Sequence, residues 1–205
     1  MNILKPIKLV VATIPILIFS TMAFSQKLEP KERITEPDHT ITSDIMGKEY
    51  QLYISFPKNY STKDSISYPV LYVLDGEFFY PIIRGTRALL DVEKETIGVI
   101  IVGISASNFY IGRHYDYTTS FDIAENEKME KEYGEPKGTY KSGGADKFLE
   151  CLKTEIIPFV DKNYKTNSDR GIAGSSLGGL FTAYCLVNSD GYFTRFGLGS
   201  PSLIW

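Results

Sequence analysis

The stretch GIAGSSLGGLFTAY, Gly171 to Tyr184, sets a serine between glycines where a short apolar strand turns into an apolar helix. Within it, Gly174-Ser175-Ser176-Leu177-Gly178 matches G-x-S-x-G, centred on Ser176. The spacing has a steric reason. A nucleophile on a sharp strand-to-helix bend has strained backbone angles, and side chains two residues before and after it would collide across the bend. Glycine at both places removes the collision. Ser176 then stands at the N-terminus of a helix, where the unbonded N–H of Leu177 can face a developing oxyanion. Ser175 is the rival hydroxyl, but Ala173 lies two residues before it, so the pattern does not centre there.

Outward from this bend, strands alternate with helices. ITSDIM and EYQLYISFP alternate as strands do, with a hairpin turn at IMGKEY. Tyr68 to Gly76 (YPVLYVLDG) and Thr96 to Ser105 (TIGVIIVGIS) are apolar on both faces, as buried parallel strands are. Phe78 to Val92 reads as a helix. Gly144 to Tyr164 repeats apolar residues at helical spacing, with Pro158 expected to kink it or to mark a second short turn. Arg170 to Gly174 reads as a strand, Leu177 to Val187 as a helix and Thr194 to Gly199 as a sixth strand. Ala106 to Gly144 shows no period and reads as a long functional loop. The pattern predicts an α/β fold: a mostly parallel sheet with helices on both faces and an antiparallel pair at one edge.

Several blocks in this order, LYVLDGEFF, VGIS, RHYDYT, ADKFLECLKTEIIPFVDKNYKT, RGIAGSSLGGLFTAYCL and SPSLIW, resemble the esterase branch of the α/β-hydrolases, which includes esterase D-like and siderophore esterases. The resemblance runs from about residue 38 to the last residue. It implies an α/β-hydrolase fold and a serine hydrolase that cleaves carboxylic esters through an acyl-enzyme at Ser176. It places a second oxyanion donor in the backbone around Gly76 or Glu77. It sets Arg113, His114, Tyr115 and Asp116 at the rim of the pocket, with Arg113 and Tyr115 as substrate contacts. For these four, a loop ion pair with aromatic packing is an equal reading.

A serine nucleophile needs a base, and the base an acid. In α/β-hydrolases these follow the serine in the chain. The 29 residues after Ser176 hold no histidine and one acid, Asp190. His39 and His114 both lie upstream. The reading is therefore a domain incomplete at its C-terminal end, lacking the last strands and helices, with little ester turnover expected of the 205 residues alone.

Composition bounds the rest. The chain has 205 residues, 43% hydrophobic, enough for one domain, placed at 38–205. A net charge of −3 without a basic stripe excludes nucleic acid as a partner. Residues 1–25 carry Lys5 and Lys8, an apolar run and Ala23-Phe24-Ser25, the pattern of a signal peptide, and 26–37 reads as a loose leader. The apolar run is short for a membrane span and contains Pro15, so the protein is expected to be exported, periplasmic or secreted, with no stable membrane anchor. Cys151 and Cys185 read as two buried thiols rather than a bridge. No metal or cofactor pattern is present. The partner implied is a small-molecule ester. The competing functions are a ligand- or partner-binding module that has lost catalysis, and acyl transfer to a sugar hydroxyl.

Overall fold

The computed structural model describes residues 36–63, 65–93 and 97–203. The expected signal peptide, and the leader up to residue 35, lie outside the described residues.

Six strands form one sheet in the order β1-β2-β4-β3-β5-β6. β1 (His39–Ser43) and β2 (Lys48–Ser55) make an antiparallel hairpin that turns at Gly47, φ 63°. β2 also runs antiparallel to β4 (Ile100–Ala106). From there β4, β3 (Tyr68–Leu74), β5 (Thr166–Ser175) and β6 (Arg195–Gly199) are parallel. The sheet is thus mixed at one edge and parallel beyond it.

Strand periodicity divides the apolar residues between two cores. Val70, Tyr72 and Leu74 of β3 and Ile100, Val102 and Ile104 of β4 face one core, with Phe148, Leu152, Ile156 and Phe181. Val73 and Ile101 point the other way, onto Tyr80, with Phe79 and Ile83 packed alongside. The second face is covered by α1 (Gly76–Glu93). The first carries α2 (Phe109–Tyr117), α4 (Ala145–Cys151), α5 (Ile157–Asn163) and α6 (Leu177–Asn188). Helices therefore stand on both faces. Cys151 and Cys185 are both buried and unbridged. No helix of the described residues is long and apolar enough to cross a membrane.

Of the two expectations for Pro158, the second short segment is the one found: Pro158 lies in the first turn of α5, which α4 joins without a break through a π-helical turn (Leu152–Ile156), where Ile157 N–H donates to the Leu152 carbonyl, five residues back. Proline has no N–H, and its ring clashes with the carbonyl four residues before it; the wider turn relieves the clash instead of breaking the helix. One expectation needs correction: 106–144 is not one irregular loop. It holds α2 and a further helix, α3 (Ile123–Tyr133). α2 buries Gly112, His114, Asp116 and Tyr117, and α3 buries Asn126 and Glu130. With mostly polar groups turned inward, neither helix shows an apolar period. Local capping supports α3: Asp122 accepts from Glu125 N–H at 3.0 Å, and Gly134 closes the helix at φ 70°.

Candidate active site

The carboxyl ends of the parallel strands bring the candidate residues together, as is usual in open α/β sheets. β5 ends at Ser175, and Ser176 takes φ 57° and ψ −119° before α6 begins. Such a non-glycine conformation costs about 1–3 kcal/mol and persists only where the surroundings enforce it. Here they do. Ser176 N–H donates to the Gly199 carbonyl at 2.9 Å, and the Ser176 carbonyl accepts from Leu180 and Ser202 N–H at 3.0 and 3.1 Å. A Cβ on Gly174 would lie 2.4 Å from the Gly178 carbonyl oxygen, so only glycine lets the two arms of the bend meet.

A serine at a helix N-terminus ordinarily spends its oxygen on a capping bond. Ser176 does not. It is exposed, and its Oγ pairs with Ser202 Oγ at 3.2 Å. Leu177 opens α6, where the first N–H groups lack intrahelical acceptors. Neither histidine is hydrogen-bonded to Ser176 Oγ. His39 Nε2 pairs with Tyr164 Oη, and His114 Nε2 with Asn126 Oδ1 at 3.1 Å. His114 is not at a rim. It is buried in α2, edge-on to Tyr140 at 5.2 Å, and burial pushes its pKa down.

The turn from β3 into α1 abuts this bend. A Cβ on Gly76 would lie 2.5 Å from Ile104 N, so the turn is flush against β4. Of the two expected oxyanion donors, Glu77 N–H is taken by Ser105 Oγ at 2.8 Å, which leaves Gly76 as the candidate. The residue before it, Asp75, is buried with φ 53°. Arg113 grips its carboxylate side-on, Nε to Oδ1 at 2.8 Å and Nη2 to Oδ2 at 2.9 Å. Asp75 N–H donates to Tyr117 Oη at 3.3 Å. A Cβ on Gly178 would come within 3.2 Å of Asp75 Oδ2, so Arg113, Asp75 and the first turn of α6 are packed together. Burial alone would push the Arg113 pKa down, but the Asp75 carboxylate outweighs it and leaves it raised. The guanidinium has five N–H donors, and the side-on pair uses two.

Tyr115 lies farther along α2. It walls a cavity of about 340 Å³ shared with Phe121, Ile123, Asn126 and Tyr140. Asp116 is buried away from the bend and accepts from Lys48 Nζ and, at 2.8 Å, from Tyr50 Oη; burial outweighs these partners and raises its pKa to about 6. Asp75, Ser105 and Ser202 were not foreseen as part of the site. All three lie in the blocks LYVLDGEFF, VGIS and SPSLIW, and Asp75 is also a lone acid closing an otherwise apolar strand.

The family described as "Putative esterase" matches residues 43–205. Ferri-bacillibactin esterase BesA of Bacillus subtilis (strain 168) is 30% identical over 166 residues, 78% of this chain and 55% of BesA. Apo-salmochelin esterase of Escherichia coli O6:H1 (strain CFT073) is 31% identical over 159 residues, 76% of this chain and 48% of that protein. The chain thus spans about half the length of the curated relatives it matches. The crystal structure of the BES protein from Bacillus cereus superposes with a TM-score of 0.67 at 29% identity, covering 87% of this chain and 66% of that one. The architecture is that of the α/β-hydrolase esterases.

Proposed function

The chain belongs to this esterase family of α/β-hydrolases, and from that premise we propose that it hydrolyses carboxylic esters with Ser176 as nucleophile. Ser176 Oγ forms a bond to the ester carbonyl carbon and gives its proton to a base. The carbonyl oxygen becomes an oxyanion, the C–O bond to the alcohol breaks, and the protonated alcohol leaves. Water then releases the acid from the acyl-enzyme. Leu177 N–H and Gly76 N–H are the oxyanion donors. Arg113, with donors to spare beside the bend, contacts the substrate's ester oxygens, and Tyr115 lines the approach. The chemistry calls for a histidine base, and no imidazole bonds Ser176 among the described residues. Siderophore esters are the substrate class this reading favours, supported by the relatives named for ferri-bacillibactin and apo-salmochelin. Residues 1–25 would direct export.

The observation that carries this reading is an exposed serine hydroxyl, held on a strained glycine-flanked bend and not spent on a helix cap. The test is hydrolysis of p-nitrophenyl acetate by the full-length gene product. Ser176→Ala is expected to lower kcat at least about a thousandfold, and Ser175→Ala far less. Equal losses, or an unaffected Ser176→Ala variant, would refute the assignment.

A further inference from the structure

Asp75 follows β3 as Ser176 follows β5, and both are non-glycine residues at positive φ, 53° and 57°. The strained backbone at Asp75 is held from three sides. Its carbonyl accepts from Phe78 and Phe79 N–H, both at 3.0 Å, which starts α1. Its N–H donates to Tyr117 Oη at 3.3 Å, and its carboxylate takes the two-bond grip of Arg113. Arg113 and Tyr117 are four residues apart on α2, so one face of one helix supplies both contacts. The guanidinium also lies over the Tyr117 ring at 5.7 Å, which ties the two side chains to each other.

An aspartate before a helix ordinarily caps it with its carboxylate. Here the backbone carbonyl serves α1, and the carboxylate turns to the other helix of the site, where a Cβ on Gly178 would lie 3.2 Å from Oδ2. Asp75 therefore lies against both proposed oxyanion donors. Its own backbone leads into Gly76, and its side chain packs beside the first turn of α6, which Leu177 opens. Stability does not account for this arrangement. The Asp75 and Arg113 side chains are 2% and 19% exposed, and a pair so dry returns little beyond the cost of desolvating its charges. Placement accounts for it. A reacting group misplaced by about 1 Å loses on the order of a hundredfold in rate, and two amides on separate elements need a stiff spacer between them. A bare carboxylate there would repel a developing oxyanion, and Arg113 offsets its charge. We infer that Asp75, clamped by Arg113 and Tyr117, is a positioning residue that sets the distance between the Gly76 and Leu177 amides. This rests on the esterase reading, in which those amides hold the oxyanion.

The test compares wild type, Asp75→Asn and Tyr117→Phe in the full-length gene product. Two rates are read, p-nitrophenyl acetate hydrolysis and fluorophosphonate labelling of Ser176, each per folded molecule as measured by thermal unfolding. Asparagine keeps the shape and tolerates positive φ, but it turns an NH₂ toward the guanidinium. In Asp75→Asn, kcat and kcat/KM are expected to fall together by about 10- to 100-fold, the mark of an interaction made only in the transition state. Labelling should slow in step. Tyr117→Phe keeps the ion pair and removes only the acceptor for Asp75 N–H, and it should show the same pattern at about 3- to 10-fold. If Asp75→Asn does not fold, Tyr117→Phe decides alone. A loss confined to KM would make Asp75 a holder of Arg113 for substrate binding, and an unchanged kcat with lowered stability would make the pair structural; either result overturns the inference. Equal labelling of wild type and Asp75→Asn would overturn it alone and leave the nucleophile in place. A wild type that takes no label on Ser176 would overturn the serine chemistry and this inference together.

Discussion

At Ser176 the proposed reactivity comes with a local backbone cost. The residue holds φ 57° while its neighbours bond its N–H and carbonyl, so the strain is borne by the fold and the hydroxyl remains available. The bend depends on Gly174, where an added Cβ would meet the Gly178 carbonyl carbon and oxygen at 2.5 and 2.4 Å. Those atoms are backbone and cannot swing aside. Gly174→Ala is expected to cost about 3 kcal/mol, the upper range for overpacking, and to abolish hydrolysis. Urea unfolding checks the first expectation. A change within about 0.5 kcal/mol, typical of neutral surface sites, would mean that the two arms do not touch. This residue could be read in the sequence because its spacing has a steric cause. The fate of Glu77 could not, because whether its N–H is free depends on Ser105, 28 residues away and brought close only by the sheet.

Among the elements, the strands and the apolar helices were legible and α2 and α3 were not. The difference is what each buries. Val70, Tyr72 and Leu74 alternate with Leu71 and Val73 between two cores, and that alternation is written in the chain. α2 instead turns Asp116 inward to Lys48 and Tyr50, a pairing no local window reveals. Burial raises the Asp116 pKa from 3.8 to about 6, so the folded state binds a proton here more readily than the unfolded state. The sign follows: this group adds stability as pH falls through 6, and the gain is complete below about 4. The stability difference between wild type and Asp116→Asn should change by at most about 3 kcal/mol between pH 7 and 4. Thermal unfolding across that range checks it, and a constant difference would show that Asp116 does not titrate there. The hairpin is held separately. Glu155, on the π turn, accepts from Ser43 Oγ and from the N–H groups of Asp44 and Ile45 at 3.0 and 3.2 Å. Glu155→Ala is expected to cost about 1–3 kcal/mol by leaving those donors unpaired. Hydrogen exchange at Asp44 and Ile45 should rise in that variant, and unchanged protection would contradict the contact.

Over the whole molecule, the carboxyl ends of the parallel strands gather what the sequence scatters. Asp75, Arg113 and Gly178, two residues past Ser176, are far apart in the chain, yet the ends of β3 and β5 and the helix α2 bring them together. If this arrangement makes one hydroxyl reactive, a fluorophosphonate added to the full-length gene product should form a single adduct, and its position can be mapped. Trypsin releases Gly171 to Arg195 as one peptide. Fragmentation of that peptide should place the phosphonyl group on Ser176, with no adduct in the Ser176→Ala variant. An adduct on Ser175, or a folded protein that takes up no label, would mean that Ser176 is not the nucleophile.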